Sequence, residues 1–131
     1  RPDPAHTAVV GSSLGGLISI YAGLQRPEVF GLVGAMSPST WWDNRSVLTS
    51  VTQLAMGRAR PLRVYIDSGD AGNSNDGVAD TRELAMTFER MGYSEGVNFH
   101  YIVQSGATHT ERYWAQRLPG ALGFLLGPRD P

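Results

Sequence analysis

The sequence predicts an α/β fold: a parallel sheet with helices on its faces. Three observations predict it. Strand-like and helix-like segments alternate four times along the chain, and right-handed crossovers turn such alternation into a parallel sheet. The first and third strand-like runs are almost continuously apolar, as strands covered on both faces are. The polar residues Ser13, Asp70, Asp76 and His109 each follow one of these runs, at the carboxyl ends where reactive groups gather in open sheets.

Arg1 to His6 reads as a proline-bearing approach loop, and Thr7 to Gly11 as a short β-branched strand. Leu14 to Gln25 reads as a helix, with Leu14, Leu17, Ile18, Tyr21 and Leu24 on one face and Pro27 marking its end. Phe30 to Met36 is apolar and glycine-containing, a second strand. Ser37 to Arg45 is expected to be a loop carrying Trp41 and Trp42, followed by a weaker helix over Ser46 to Met56. Leu62 to Asp67 is a third strand, and Ser68 to Val78 is loop by composition. Asp80 is expected to cap the next helix, with Glu83 completing a capping-box-like pattern. Leu84, Phe88 and Met91 form that helix's apolar stripe, and Gly92 ends it. Asn98 to Gln104 is a fourth strand, Ser105 to Thr110 a loop, and Glu111 to Leu126 a last helix interrupted at Pro119.

The length of 131 residues suffices for one domain with one core, expected to span residues 1–131. Net charge is -1 with no basic stripe or acidic tail, which argues against nucleic acid and anionic membrane surfaces as partners. There is no cysteine, so disulfides, thiolate metal sites and a cysteine nucleophile are excluded. No apolar span is long enough for a bilayer, and no secretory signal is visible. The chain starts at Arg1 and enters a core strand within ten residues. It is therefore expected to be the C-terminal part of a longer protein, with compartment undetermined.

The run Val9-Val10-Gly11-Ser12-Ser13-Leu14-Gly15-Gly16 contains Gly-x-Ser-x-Gly where an apolar strand gives way to a helical pattern. That is the form of a nucleophile elbow, with Ser13 at the apex in a strained conformation. A β-carbon at Gly11 or Gly15 is expected to clash across the turn, and Gly16 to let the helix pack close to the sheet. A serine hydroxyl needs a base, and the base needs an acid to hold its tautomer. Of the three histidines, His6 precedes the first strand and His100 lies within the fourth, where it reads as structural. His109 follows the fourth strand, and the order serine, acid, histidine matches the hydrolase pattern. For the acid, reach towards the histidine loop favours Asp76, with Asp70 as the alternative and then an organiser of the loop; Asp67 is read as a structural hydrogen-bonding group.

The oxyanion of acyl transfer needs backbone donors. One is expected from the Leu14 N–H, at a helix N-terminus. The second normally comes from a loop after an earlier strand, which the chain does not contain. Trp41 and Trp42 either wall a substrate pocket or cover the core edge. Trp114 reads as packing, and Glu111 as a helix cap or a neighbour of His109. Asn73, Asn75 and nearby aspartates lack the twelfth-position glutamate of a calcium loop, so no metal site is read there.

Gly11 to Leu17, Arg26-Pro27-Glu28-Val29-Phe30-Gly31 and Met36-Ser37-Pro38-Ser39-Thr40-Trp41-Trp42 resemble the putative-esterase family of α/β-hydrolases. So do Tyr65-Ile66-Asp67-Ser68-Gly69-Asp70 and the tail from Gly106 to Pro119. That family includes esterase D-type, enterochelin and feruloyl esterases and mycolyltransferases. The resemblance implies a three-layer α/β-hydrolase-type sheet of which this chain holds the C-terminal portion, four strand-helix units without the N-terminal half. It implies a serine carboxylesterase acting on a small-molecule ester through an acyl-enzyme, with no metal or organic cofactor. Ser13 matches the nucleophile and His109 the base, while the acid matches only loosely. The tryptophan pair looks more like the enterochelin esterase branch than the esterase D branch. Two other readings use the same fold: an acyltransferase with the same residues, and a non-catalytic carbohydrate- or partner-binding module.

Overall fold

In the computed structural model, which describes residues 1–55, 62–71 and 76–128, four strands form one parallel sheet. They are β1 (Ala8–Ser12), β2 (Leu32–Met36), β3 (Arg63–Gly69) and β4 (Phe99–Gln104), hydrogen-bonded in the order β1-β2-β3-β4. Helices α1 (Leu14–Gln25), α2 (Trp42–Ala55) and α3 (Val78–Arg90) connect successive strands, and α4 (Glu111–Leu126) follows β4. When each strand lies beside its predecessor and every crossover is right-handed, the connecting helices fall on one face. The packing bears this out. Leu17, Ile20 and Leu24 of α1, Val47 and Val51 of α2, and Leu84, Ala85 and Phe88 of α3 share one core with Val33, Ala35, Val64, Ile66 and Phe99. Helix α4 covers the opposite face, with Ala121 and Leu125 against Leu32, Met36 and Tyr65. The alternation of β2 and β3 side chains between these two cores is the period of two that a strand imposes. The result is three layers.

Several local expectations are corrected. Pro4–His6 forms a short 3-10 turn within the approach segment. The first helix does not bury one stripe as read: Leu17 and Leu24 are inside, but Leu14 and Ile18 are exposed, and Ile20 takes their place in the core. A helix apolar on most sides offers periodicity no clear choice of face. Helix α2 starts at Trp42 rather than Ser46, but Asp43, Asn44 and Arg45 hold left-handed angles near φ 50 to 63°. Regular right-handed helix thus begins only at Ser46; Met56, its expected end, lies outside the described residues.

Asp80 does not cap α3. The N-cap is Gly77 in the left-handed region at φ 72°, with Val78 as the first helical residue. Asp80 instead sits in the first turn, 3.4 Å from the Arg45 guanidinium. Helix α4 runs unbroken through Pro119. Proline removes one donor, but Ala121 and Leu125 beyond it remain buried against the sheet, and tertiary packing outweighs the local penalty. Among the described residues no helix is long and apolar enough to cross a membrane.

Candidate active site

The turn after β1 is built by backbone geometry. Ser13 has φ 59° and ψ −123°, a conformation costly for a residue with a side chain. Its N–H donates to Met36 O at 2.9 Å, and its carbonyl accepts from the N–H of Ser39 at 3.1 Å. The two glycines flanking Ser13 are not equivalent, contrary to expectation. A Cβ on Gly11 would stand 2.5 Å from the carbonyl carbon of Gly15, whereas a Cβ on Gly15 would meet nothing within 4 Å. The clash is one-sided because the strand side of the turn faces the helix backbone while the helix side faces outward. A Cβ on Gly16 would lie 3.2 Å from both Met36 O and Pro38 Cα, consistent with α1 pressing close to the sheet.

The loop after β4 carries His109 over this turn. Its Nε2 lies 2.8 Å from Ser13 Oγ, across 96 positions of sequence. Its Nδ1 lies 2.6 Å from Asp76 Oδ1. Since Asp76 as a carboxylate only accepts, the ring carries its proton on Nδ1 and leaves Nε2 free to accept from Ser13. The Asp76 carboxylate is fully buried while the His109 ring is partly open. The other carboxylate oxygen, Oδ2, accepts from the Gly69 N–H and from Ser37 Oγ at 2.9 Å.

Asp70 stands elsewhere. Its Oδ1 accepts from the Gly106 N–H at 2.7 Å, and Ala71 N donates to Ala107 O at 3.1 Å, so this segment ties down the loop that bears His109. Gly69 is obligatory there, because a Cβ would run into the Ala107 carbonyl. Asp67 is wholly buried. It accepts from Tyr65 Oη at 2.7 Å and from Arg117 Nη2 at 3.0 Å, and Arg117 Nε lies 2.9 Å from its second oxygen. Burial, reinforced by the neighbouring Asp67 charge and the hydrogen bond to it, pushes the Tyr65 phenol far above its usual range, so Tyr65 stays a neutral donor.

The remaining predicted residues sort by surroundings. The Leu14 N–H is among the first-turn donors that a helix leaves without an intrahelical acceptor. Trp41 and Trp42 are 59% and 47% exposed, so they do not cover the core edge. Both begin just past Ser39, whose Oγ lies 3.3 Å from Ser13 Oγ. Trp114 packs with the α4-side core and also stands edge-on to the His109 ring, with centroids 4.9 Å apart. Glu111 is the first residue of α4 and is exposed. His6 pairs with Asp3, and His100 with Glu95 between the rings of Tyr65 and Phe124. Asn73 and Asn75 lie outside the described residues, and no group of three or more metal-ligating side chains occurs among the described ones.

Sequence reasoning missed Ser37, Ser39 and Arg117. One signal for Arg117 was available. It shares a four-residue spacing with Ala121 and Leu125 on the buried stripe of α4, and a cation on an apolar stripe calls for a buried partner. Ser37 gave no such signal, because its positive φ of 42° is invisible in a Ser-Pro-Ser run.

Known proteins share this arrangement of chain. The Esterase family model, described as "Putative esterase", matches residues 1–125. Iron(III) enterobactin esterase of Dickeya dadantii (strain 3937) is 47% identical over 143 residues, covering 98% of this chain and 31% of that protein. The uncharacterized protein YbbA of Bacillus subtilis (strain 168) is 28% identical over 131 residues, covering 95% of this chain and 51% of that protein. Among solved structures, the enterochelin esterase of Shigella flexneri superposes with a TM-score of 0.80 at 25% identity, covering 98% of this chain and 32% of that one. The chain thus spans about half or less of the length of these relatives.

Proposed function

The chain belongs to the Esterase family ("Putative esterase"), and on that premise we propose that it hydrolyses a carboxylic ester through an acyl-enzyme on Ser13. Its fold is of the α/β-hydrolase type, as in the enterobactin esterase structures. The observation that carries the reading is the continuous line from Ser13 Oγ to His109 Nε2 at 2.8 Å and from His109 Nδ1 to Asp76 Oδ1 at 2.6 Å.

In this mechanism the Ser13 oxygen attacks the ester carbonyl while its proton passes to His109 Nε2. Asp76 holds the ring and stabilises the imidazolium. The Leu14 N–H, reinforced by the α1 dipole, takes the developing oxyanion. Collapse of the tetrahedral intermediate breaks the C–O bond to the alcohol, which leaves with the proton from Nε2. Water, deprotonated by the same nitrogen, then releases the acid and restores Ser13.

For substrate we propose a siderophore-type ester with aromatic substituents. The support is the similarity to the Dickeya iron(III) enterobactin esterase, together with the exposed Trp41 and Trp42 that follow closely on Ser39, whose hydroxyl lies 3.3 Å from that of Ser13. Exposed flat aromatic surface favours aromatic ligands.

The test is a fluorophosphonate probe, followed by enterobactin with chromatographic detection of the opened ester. Stoichiometric labelling mapped to Ser13 and lost in Ser13→Ala is expected. A folded protein that takes no label overturns the enzymatic reading. Labelling without enterobactin cleavage overturns the substrate assignment alone.

A further inference from the structure

Beneath the Ser13–His109–Asp76 line lies a buried chain of hydrogen bonds that the mechanism above leaves without a role. Arg117 enters from α4. Its Nη2 lies 3.0 Å from both Asp67 Oδ1 and Ser37 Oγ, and its Nη1 donates to Gln104 Oε1 at 2.9 Å. The Arg117 side chain is 4% exposed and that of Asp67 0%. Asp67 also receives the Ser37 N–H, through its carbonyl at 3.0 Å and its Oδ1 at 3.0 Å. Ser37 is therefore held at both ends, by main chain and by hydroxyl.

The protons in this chain have only one arrangement. A guanidinium carries donors and no acceptor, so the Ser37 oxygen must accept from Arg117. A hydroxyl has one proton, and among the described residues the acceptor offered to it is Asp76 Oδ2 at 2.9 Å. We propose that Arg117 and Ser37 are positioning residues: the guanidinium, anchored by Asp67, aims the Ser37 hydroxyl at Asp76, and that hydroxyl holds the carboxylate in line with His109. This rests on the reading of Asp76 as the acid of an ester hydrolase.

The need for such a device follows from where Asp76 sits. It lies just before the Gly77 N-cap of α3, outside any strand ladder. Its carboxylate is fixed by donors from two strand ends, the Gly69 N–H and the Ser68 hydroxyl closing β3 and Ser37 following β2. Catalytic constellations tolerate deviations of only about 0.5 Å, and of the side-chain donors described on Oδ2 the Ser37 hydroxyl at 2.9 Å is closer than Ser68 Oγ at 3.4 Å. A purely structural ion pair would stabilise the fold without touching this alignment.

Ser37→Ala separates the two roles, since it leaves Arg117 and Asp67 together and adds no volume. Arg117→Lys keeps the charge but loses the fork that reaches Ser37 and Asp67 at once. With p-nitrophenyl acetate as probe substrate, each variant is expected to lower kcat about ten- to a hundredfold with KM within about twofold, the effect of losing one hydrogen bond to a charged group. In proton NMR the carboxylate-bound Nδ1 proton of His109 is expected to shift or broaden in both. A folded Ser37→Ala protein with unchanged kcat and an unchanged Nδ1 resonance overturns the proposal. Should Ser37→Ala not fold, Arg117→Lys decides on the same two readouts. Should Ser13→Ala retain turnover, the ester-hydrolase reading fails, while the Nδ1 resonance still decides whether Ser37 and Arg117 position Asp76.

Discussion

Gly11→Ala and Gly15→Ala are expected to move stability in opposite directions, although both glycines flank the same serine. A Cβ at position 11 would stand 2.5 Å from the carbonyl carbon and oxygen of Gly15 and 3.0 Å from its Cα. Non-bonded carbons settle at roughly 3.5–4.0 Å, so the overlap is about 1 Å and falls on backbone that no rotamer change can move aside. Shifting the first turn of α1 outward would relieve it, but that turn is tied to the end of β2 by the Ser13 N–H bond to Met36 O. Overpacking costs roughly 1–3 kcal/mol, and a collision with fixed backbone belongs at the upper end, about 3 kcal/mol. At position 15 a Cβ meets nothing within 4 Å, and φ there is not positive. Alanine there restricts the unfolded chain and favours helix, a gain of about 0.5–1 kcal/mol. At a chain length of 131 residues, 1 kcal/mol corresponds to about 4 °C in Tm. The variants should therefore differ from the wild type by a fall of about 10 °C and a rise of about 2–4 °C. Urea unfolding followed by circular dichroism, with a common m-value, gives the free energies directly. A neutral Gly11→Ala, or two variants that fall together, would refute the one-sided geometry of the turn.

Two further outcomes follow from the buried charges. Asp67→Asn leaves the Arg117 cation uncompensated in the interior, at a cost of about 3–5 kcal/mol, whereas the double variant Asp67→Asn/Arg117→Met should recover most of that loss; equal destabilisation of single and double variants in urea would contradict it. Tyr65 gives a pH dependence. Its folded pKa is raised above the ordinary phenol value of about 10, so its contribution to stability is intact below that pH and is lost as pH rises beyond it, where only the unfolded chain releases the proton. Urea midpoints should therefore decline above about pH 10, and Tyr65→Phe should flatten the decline; a Tyr65→Phe protein with an unaltered alkaline slope would remove phenol ionisation as the cause.

The order of strands and helices was legible because each strand is a short apolar run between turn signals, and strand boundaries moved by only a residue or two, while the starts of α2 and α3 moved further. The faces of α1 were not. Leu14 and Ile18 obey the same spacing as Leu17 and Leu24, and only the sheet decides which pair turns inward. Asp70 and Asp76 could not be told apart by composition, since both lie in one polar loop. The fold separates them by partner: Asp70 meets the Gly106 N–H, and Asp76 meets the His109 ring. Asp80 read as a cap because its distance to Glu83 fits one. Gly77, with no side chain to offer, occupies the cap because the chain there must turn left-handed. Arg117 was hidden for the opposite reason: its role depends on Asp67 and Ser37, 50 and 80 positions away.

The site's backbone is the sheet ladder continued past the strands. Beyond β1, the Ser13 N–H meets Met36 O; beyond β2, the Ser37 N–H meets Asp67 O; beyond β3, the Asp70 N–H meets Gln104 O. Each residue just after a strand is thus pinned to the next strand, so three turns far apart in sequence are locked in register, and direct contacts such as the Ser39 N–H on Ser13 O reinforce the first two. Parallel topology makes this possible, because all the strands exit at one edge. It also explains why the residues around Ser13 adopt conformations that cost free energy, Ser13 at φ 59° and Ser37 at φ 42°. A chain that must both complete a ladder bond and turn away within one residue has little room left in φ/ψ space, and the rest of the sheet holds it there. Strain at Ser13 and Ser37 is on this account a consequence of extending the ladder, and stabilising the sheet far from the turns would hold both residues more firmly in place.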